Sequence, residues 1–153
     1  MTSIKDILMP EFTLCHPEKK LCKKTLLELI SELVADADNR IKYQDILQGL
    51  TQRERLGSTA LDKGIAIPHA RIKGLKNTIC ILITLTSPIE FNDEIDHSQH
   101  VDIIFSLLVP EQATEQHTNT LAIITEQLRK EHYRDQLRNA QTNHDLYLAA
   151  IDD

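Results

Sequence analysis

Seven histidines in this chain could exchange a proton or attack an electrophile near neutral pH. A single histidine is more often a surface or core residue than a catalytic one. The neighbouring residues must therefore indicate which of the seven could be catalytic. The context favours chemistry at His69, which follows Pro68 at a predicted strand end, and at His117, which lies at the start of the helix predicted after Pro110. The other five are His16, His97, His100, His132 and His144.

His69 directly follows Pro68 at the end of segment 64–68, which is short, β-branched and bounded by Gly and Pro, and is therefore predicted to be a strand. Binding crevices in α/β sheets form at strand ends. An imidazole there can be held through one ring nitrogen while the other presents a lone pair, which is what a nitrogen nucleophile needs. The alternative is a histidine that only caps a strand.

His117 is in helical phase with Leu121, Ile124 and Leu128, and is therefore predicted to face the body of the domain. It would lie near a helix N-terminus, where free N–H groups and the helix dipole favour an anion. A histidine that bonds a backbone carbonyl explains the same pattern equally well.

Arg53 lies one turn beyond Leu50, on the inner side of a predicted helix. That phase favours a guanidinium directed at an anion site, although an arginine near a helix C-terminus commonly only offsets the dipole. Arg55 is out of phase with the apolar stripe and is predicted to be solvated.

A metal site was weighed at His97 and His100, whose HxxH spacing lies among Asp93, Glu94, Asp96 and Asp102. The segment lacks HExxH and paired cysteines, so an exposed polar loop over residues 89–100 is the preferred interpretation and no metal is expected. GxxxxGK[ST], GxGxxG and GxSxG are also absent, so we expect no nucleotide or other cofactor.

The elements that must position these residues follow from hydrophobic periodicity. Segment 24–37 carries an amphipathic stripe, and a second helix ends near Gly57. Segments 78–85 and 101–109 are near-continuous apolar runs, typical of central strands covered on both faces and ended by Pro88 and Pro110. Further helices are predicted after Pro110, over 133–140 and over 145–151. This order predicts an α/β layered sandwich with a mixed sheet flanked by helices.

Length and composition limit the classes of function that the chain could have. A chain of 153 residues that is 41% hydrophobic and 26% charged predicts one soluble globular domain. A formal net charge of -6 argues against broad nucleic-acid binding. No apolar stretch is long enough to span a bilayer, so membrane insertion is not expected. Cys15, Cys22 and Cys80 lack CxxC spacing and indicate small buried side chains in a reducing compartment.

Three motifs occur at characteristic separations: RERLGST at 53–59, GIAIPH at 64–69, and FSLLVP at 105–110 followed by His117 and Thr120-Leu121. Their combination resembles the enzyme IIA components of the phosphoenolpyruvate-dependent phosphotransferase system. Within the mannitol/fructose/nitrogen family it is most similar to the nitrogen-regulatory type. The resemblance runs from about residue 4 to residue 151 and implies one IIA-type α/β domain over 1–153.

The resemblance also implies that His69 is the phosphoryl acceptor, loaded by a small HPr-type phosphocarrier, and that His117 and Arg53 stabilise the phosphoryl group. We therefore expect a cytoplasmic phosphotransferase component that regulates partners such as transporters or kinases, and not a complete sugar-phosphorylating enzyme. One alternative is an interaction module in which phosphorylation is dispensable. Another is a histidine-based hydrolase, with or without a metal.

Overall fold

A computed structural model describes residues 3–92, 98–112 and 115–152, with backbone alone at 115–118. Its centre is a mixed sheet of six strands in the order β1-β5-β6-β3-β2, in which β4 also pairs with β6. The strands are β1 (Leu8–Cys15), β2 (Ala60–Leu61), β3 (Ile65–Ala66), β4 (His69–Ile72), β5 (Ile79–Asn92) and β6 (Gln99–Pro110). The helices are α1 (Ile4–Ile7), α2 (Lys23–Ala37), α3 (Tyr43–Leu56), α4 (Glu115–Leu128), α5 (Glu131–Asn139) and α6 (Asn143–Ile151). The predicted α/β sandwich with a mixed sheet is confirmed.

The two near-continuous apolar runs form β5 and β6, which pair antiparallel inside the sheet. Successive side chains of a strand point to opposite faces, and these strands are apolar on both. Ile81 and Ile83 join a core cluster that contains the apolar stripes of α2 and α3. Cys80 and Leu82 join a second cluster that contains residues of α4, α5 and α6. The prediction that both runs are covered on both faces is confirmed.

The predicted helical stripes also face the core. Leu26, Ile30 and Val34 of α2 are fully buried, as are Ile46 and Leu50 of α3. Helix α3 ends at Leu56 and Gly57 follows it, as the sequence predicts. The inner side of α3 is thereby fixed toward the sheet, and that orientation sets the direction in which Arg53 extends from the next turn.

The prediction of a loop over residues 89–100 is wrong at both ends. Strand β5 continues through Pro88 to Asn92, and β6 already begins at Gln99, while residues 93–97 lie outside the described part of the chain. Pro88 does not end β5, because pairing with β1 stops at Thr84 and the register with β6 shifts between Thr84 and Ile89. Among the described residues, no strand pairs with that edge of β5 beyond Thr84, so a proline is tolerated there.

The predicted strand over 64–68 is divided. Strand β3 covers Ile65–Ala66, and His69 begins β4 instead of closing the earlier strand. The interruption falls at Pro68, which has no N–H to donate. Both short strands pair parallel with β6, so the chain resumes the same ladder after the proline.

Edge strand β1 and helix α1 have no counterpart in the sequence-based prediction. Burial of all three cysteines is also wrong, since Cys80 is buried, Cys15 is half-buried and Cys22 is exposed. Full burial raises the pKa of the Cys80 thiol, because the thiolate would lose its hydration. In the described ranges, no helix is both long enough and apolar enough to cross a membrane.

Candidate functional site

His69 lies on a rigidly held piece of backbone. It is the first residue of β4 and stands beside Leu107 of β6, with its side chain half-buried. The carbonyl of the preceding Pro68 accepts hydrogen bonds from the Leu107 N–H at 2.9 Å and from the Ser106 hydroxyl at 2.8 Å. Because Ser106 is fully buried, this anchor belongs to the core of the sheet, and it fixes where the imidazole can lie.

The hydrogen bonds of the imidazole define its tautomer. His69 Nδ1 lies 2.8 Å from the carbonyl oxygen of Ile67, which can only accept, so Nδ1 carries the proton and donates it. The Arg53 Nε–H donates to His69 Nε2 at 3.3 Å, so Nε2 presents a lone pair. In this arrangement Nε2, and not Nδ1, is the ring nitrogen whose lone pair could attack an electrophile.

Arg53 reaches the imidazole from the last turn of α3 and is itself half-buried. Its Nη1 donates to the carbonyl oxygen of Gly57 at 2.8 Å, which directs the guanidinium across the end of its own helix. Arg55 is exposed, as its phase predicts. The structure thus brings Arg53 and His69 together and separates Arg55 from them.

His117 is the third residue of α4, so it occupies the first turn of a helix as expected. The stripe used to orient it also faces inward, since Ile124 and Leu128 are buried and Leu121 is half-buried. The side chain of His117 lies outside the described atoms, and its approach to His69 stays a prediction.

The surroundings of His69 are cationic although the chain carries a net charge of -6. Arg53 contacts the ring, and Arg71 stands two residues further along β4, on the same side of the strand as His69. Arg71 is exposed, and its Nη1 donates to the carbonyl oxygen of Glu111 at 3.3 Å. This arrangement suits an incoming anion that reacts at Nε2.

Sequence reasoning missed the groups that hold the two central side chains. The carbonyls of Ile67 and Gly57 leave no trace in residue identity, because every residue carries one. Glu54 and Thr59, which are hydrogen-bonded to each other nearby, do leave a trace, since both lie within the RERLGST motif at 53–59. Their spacing alone gave no reason to assign them a role.

The residues weighed as metal ligands around HxxH do not come together in the part that the structure describes. His97, Asp93, Glu94 and Asp96 lie outside the described residues, His100 is exposed on β6, and Asp102 is engaged by Arg138 at 2.9 Å. Within the described ranges, no group of three or more His, Cys, Asp or Glu side chains could hold a metal ion.

We expect protein purified without chelator to contain no stoichiometric zinc, because the segment offers scattered ligand types and no recognisable ligand set. Elemental analysis by plasma mass spectrometry checks this. A tightly held metal that disappears when His97 and His100 are both changed to Gln would restore the hydrolase hypothesis.

The comparisons with known proteins agree with this fold. Residues 13–151 match the family model described as phosphoenolpyruvate-dependent sugar phosphotransferase system, EIIA 2. A nitrogen regulatory protein of Pseudomonas aeruginosa is 42% identical over 130 residues, 85% of this chain and 83% of the relative. One from Escherichia coli K12 is 37% identical over 131 residues, 85% and 78% of the two chains. The crystal structure of nitrogen regulatory protein IIA-Ntr from Neisseria meningitidis superposes with a TM-score of 0.83 at 30% identity, covering 96% of this chain and 98% of that one.

Proposed function

This chain belongs to the EIIA 2 family of the phosphoenolpyruvate-dependent sugar phosphotransferase system, and we propose that it accepts a phosphoryl group on His69 Nε2. The observation that supports this is the pair of contacts on the imidazole, Nδ1 with the Ile67 carbonyl and Nε2 with the Arg53 Nε–H, which assigns the proton to Nδ1 and leaves the Nε2 lone pair as the nucleophile. The donor is a small HPr-type phosphocarrier, and the protein works in the cytoplasm. Its state of phosphorylation regulates partners such as transporters or kinases.

Transfer of the phosphoryl group from the donor to His69 needs no cofactor. The Nε2 lone pair attacks phosphorus, the bond between phosphorus and the donor's histidine nitrogen breaks, and that nitrogen recovers its electron pair. His69 keeps its Nδ1 proton, so the phosphorylated ring becomes cationic. The Ile67 carbonyl, 2.8 Å from Nδ1, stabilises that charge and holds the ring during attack.

Arg53 has two successive partners in this scheme. In the unmodified protein its Nε–H occupies the Nε2 lone pair, so it must leave that nitrogen when the donor arrives. The guanidinium then meets the phosphoryl oxygens, whose geometry it matches with two parallel hydrogen bonds. His117 adds a second donor from the first turn of α4, where the helix dipole also favours the added negative charge.

Incubation with phosphoenolpyruvate and the two upstream carrier proteins tests the proposal. We expect about one acid-labile phosphoryl group per chain, since one nucleophilic nitrogen is prepared. Carriers that load a known acceptor but leave this chain unlabelled would favour the alternative, an interaction module in which phosphorylation is dispensable. The prepared tautomer supports the phosphocarrier, because an interaction module has no need of a nucleophilic Nε2.

Phosphorylation is expected to change partner choice through local charge. The phosphoryl group carries close to two negative charges, of which the cationic ring offsets one, at one point of a chain whose net charge is -6. A regulatory partner that covers His69 should therefore separate the two forms by about 1–3 kcal/mol of binding free energy. Calorimetry with each form measures the difference, and amide hydrogen exchange shows whether the change stays local. Equal affinity for every regulatory partner would reject the switch.

A further inference from the structure

Glu54 carries a buried carboxylate beside the site that the chemistry above does not use. Its side chain is 6% exposed, and it follows Arg53 directly in the last turn of α3. The Thr59 N–H donates to Oε1 at 3.1 Å, and the Thr59 hydroxyl makes a short hydrogen bond to Oε2. Glu54 therefore ties the end of α3 to the segment that leads into β2.

The connection continues from Thr59 to the imidazole. The Thr59 carbonyl accepts a hydrogen bond from the Ile67 N–H at 3.1 Å. The carbonyl of the same Ile67 accepts the Nδ1 proton of His69. Two hydrogen bonds thus link the residue that Glu54 holds to the atom that defines the tautomer of His69.

A second connection runs from the same segment to Arg53. The Gly57 carbonyl, which accepts from Arg53 Nη1, lies between Glu54 and Thr59 in the chain. Because Glu54 fixes Thr59 against α3, it restricts the turn of residues 55–58 that presents this carbonyl. The His69 imidazole and the Arg53 guanidinium, which meet at Nε2, are therefore both held by backbone that Glu54 restrains.

An ionised carboxylate is the side chain that fits this place. Each of its oxygens accepts one hydrogen bond from Thr59, whereas an amide of the same shape must turn its NH₂ toward the Thr59 hydroxyl, which would then have to accept instead of donate. Lys23 Nζ lies 3.0 Å from Oε1 and balances the buried charge. Lys23 is itself held over the Phe91 ring, 4.5 Å from its centroid, so helix α2 and strand β5 support the carboxylate.

We propose that Glu54 is a positioning residue for phosphoryl transfer, an inference that rests on the function proposed above. Through Thr59 and Ile67 it maintains the Nδ1–H form of His69, and through the Gly57 turn it maintains the orientation of Arg53. Glu54 touches neither the phosphoryl group nor His69. An imidazole without this restraint reverts toward the Nε2–H form, which an unconstrained ring in water prefers and which lacks a nucleophilic Nε2.

The test replaces Glu54 by glutamine in the full chain and follows two quantities. Nitrogen-15 NMR of the histidine rings, with His69 assigned by the loss of its signals in His69→Gln, should show a shift toward Nε2–H. The maximal rate of phosphoryl uptake should fall about 10- to 100-fold, the usual cost of a small misplacement. The donor concentration at half-maximal rate should stay the same, since the docking surface is untouched.

Glu28→Gln is the matched control, because Glu28 lines the same groove between α2 and α3 as Glu54 and the change in charge is identical. If Glu54→Gln fails to fold, Thr59→Val removes one donor and should move both readouts in the same direction, while Thr59→Ser should restore them. A ring spectrum identical to wild type in a folded Glu54→Gln or Thr59→Val protein would overturn the proposal, as would equal slowing in Glu28→Gln. If wild-type protein takes up no phosphoryl group, the proposed function fails and the ring spectra alone decide the role of Glu54.

Discussion

Replacing His69 by glutamine is expected to abolish phosphoryl uptake. Glutamine keeps a polar side chain near the Ile67 carbonyl but offers an amide nitrogen whose lone pair is delocalised and does not attack phosphorus. Because His69 is half-buried at a strand start, the fold should survive the change. Intact-mass spectrometry after incubation with phosphoenolpyruvate and the upstream carriers measures the result.

His132→Gln is the control for this prediction, since His132 is an exposed histidine on α5. It should take up as much phosphoryl group as wild type. Peptide mapping at neutral pH, which preserves the acid-labile bond, should place the adduct on the peptide that contains His69. Full labelling of His69→Gln would show that the acceptor is a different residue.

Replacing Arg53 by alanine is expected to slow phosphoryl uptake by about 10²–10³, which corresponds to roughly 2.7–4 kcal/mol of transition-state stabilisation. The loss comes from the guanidinium that contacts Nε2 at 3.3 Å and is available to the phosphoryl oxygens. Single-turnover kinetics with excess phosphorylated donor measure the rate. Arg53→Lys should recover only part of it, because an ammonium cannot form two parallel hydrogen bonds.

Arg55→Ala separates a local effect from a general loss of positive charge. Arg55 lies two residues further along the same helix, is exposed, and should change the rate little. His117→Ala should slow transfer by an amount comparable to Arg53→Ala. Since both side chains are proposed to act on one phosphoryl group, the double variant should lose less than the sum of the two. A wild-type rate in Arg53→Ala would leave this arginine with a capping role at the end of α3.

The layers of the fold were largely readable in the sequence. A strand that is apolar on both faces is typical of the interior of a sheet that is covered on both sides. Segments 78–85 and 101–109 were therefore predicted as central strands, and they form β5 and β6. The stripe of α3 likewise set the phase of Arg53, because a helix that buries Leu50 must direct the residue one turn later toward the same side.

The wrong strand predictions concern prolines, whose effect on a strand depends on how that strand pairs with others in the sheet. Pro88 indicated a strand end, but the tolerance of a proline depends on whether another strand needs its N–H, and β1 has already ended there. Pro68 correctly indicated that the strand before His69 ends, since β3 stops at Ala66. Whether the chain then leaves the sheet or resumes the ladder is decided by pairing with Leu107 of β6, almost forty residues away.

By itself, the sequence predicted which side chains should carry chemistry, namely the histidine that follows Pro68 and the arginine on the inward face of a helix. It also contained a motif set that resembles the family which the comparisons then identified. Tertiary structure alone decided the state of those side chains. The tautomer of His69 depends on the Ile67 carbonyl, and the direction of Arg53 depends on the Gly57 carbonyl. Carbonyl groups are identical at every residue, so only the folded path of the chain determines which of them meet an imidazole or a guanidinium.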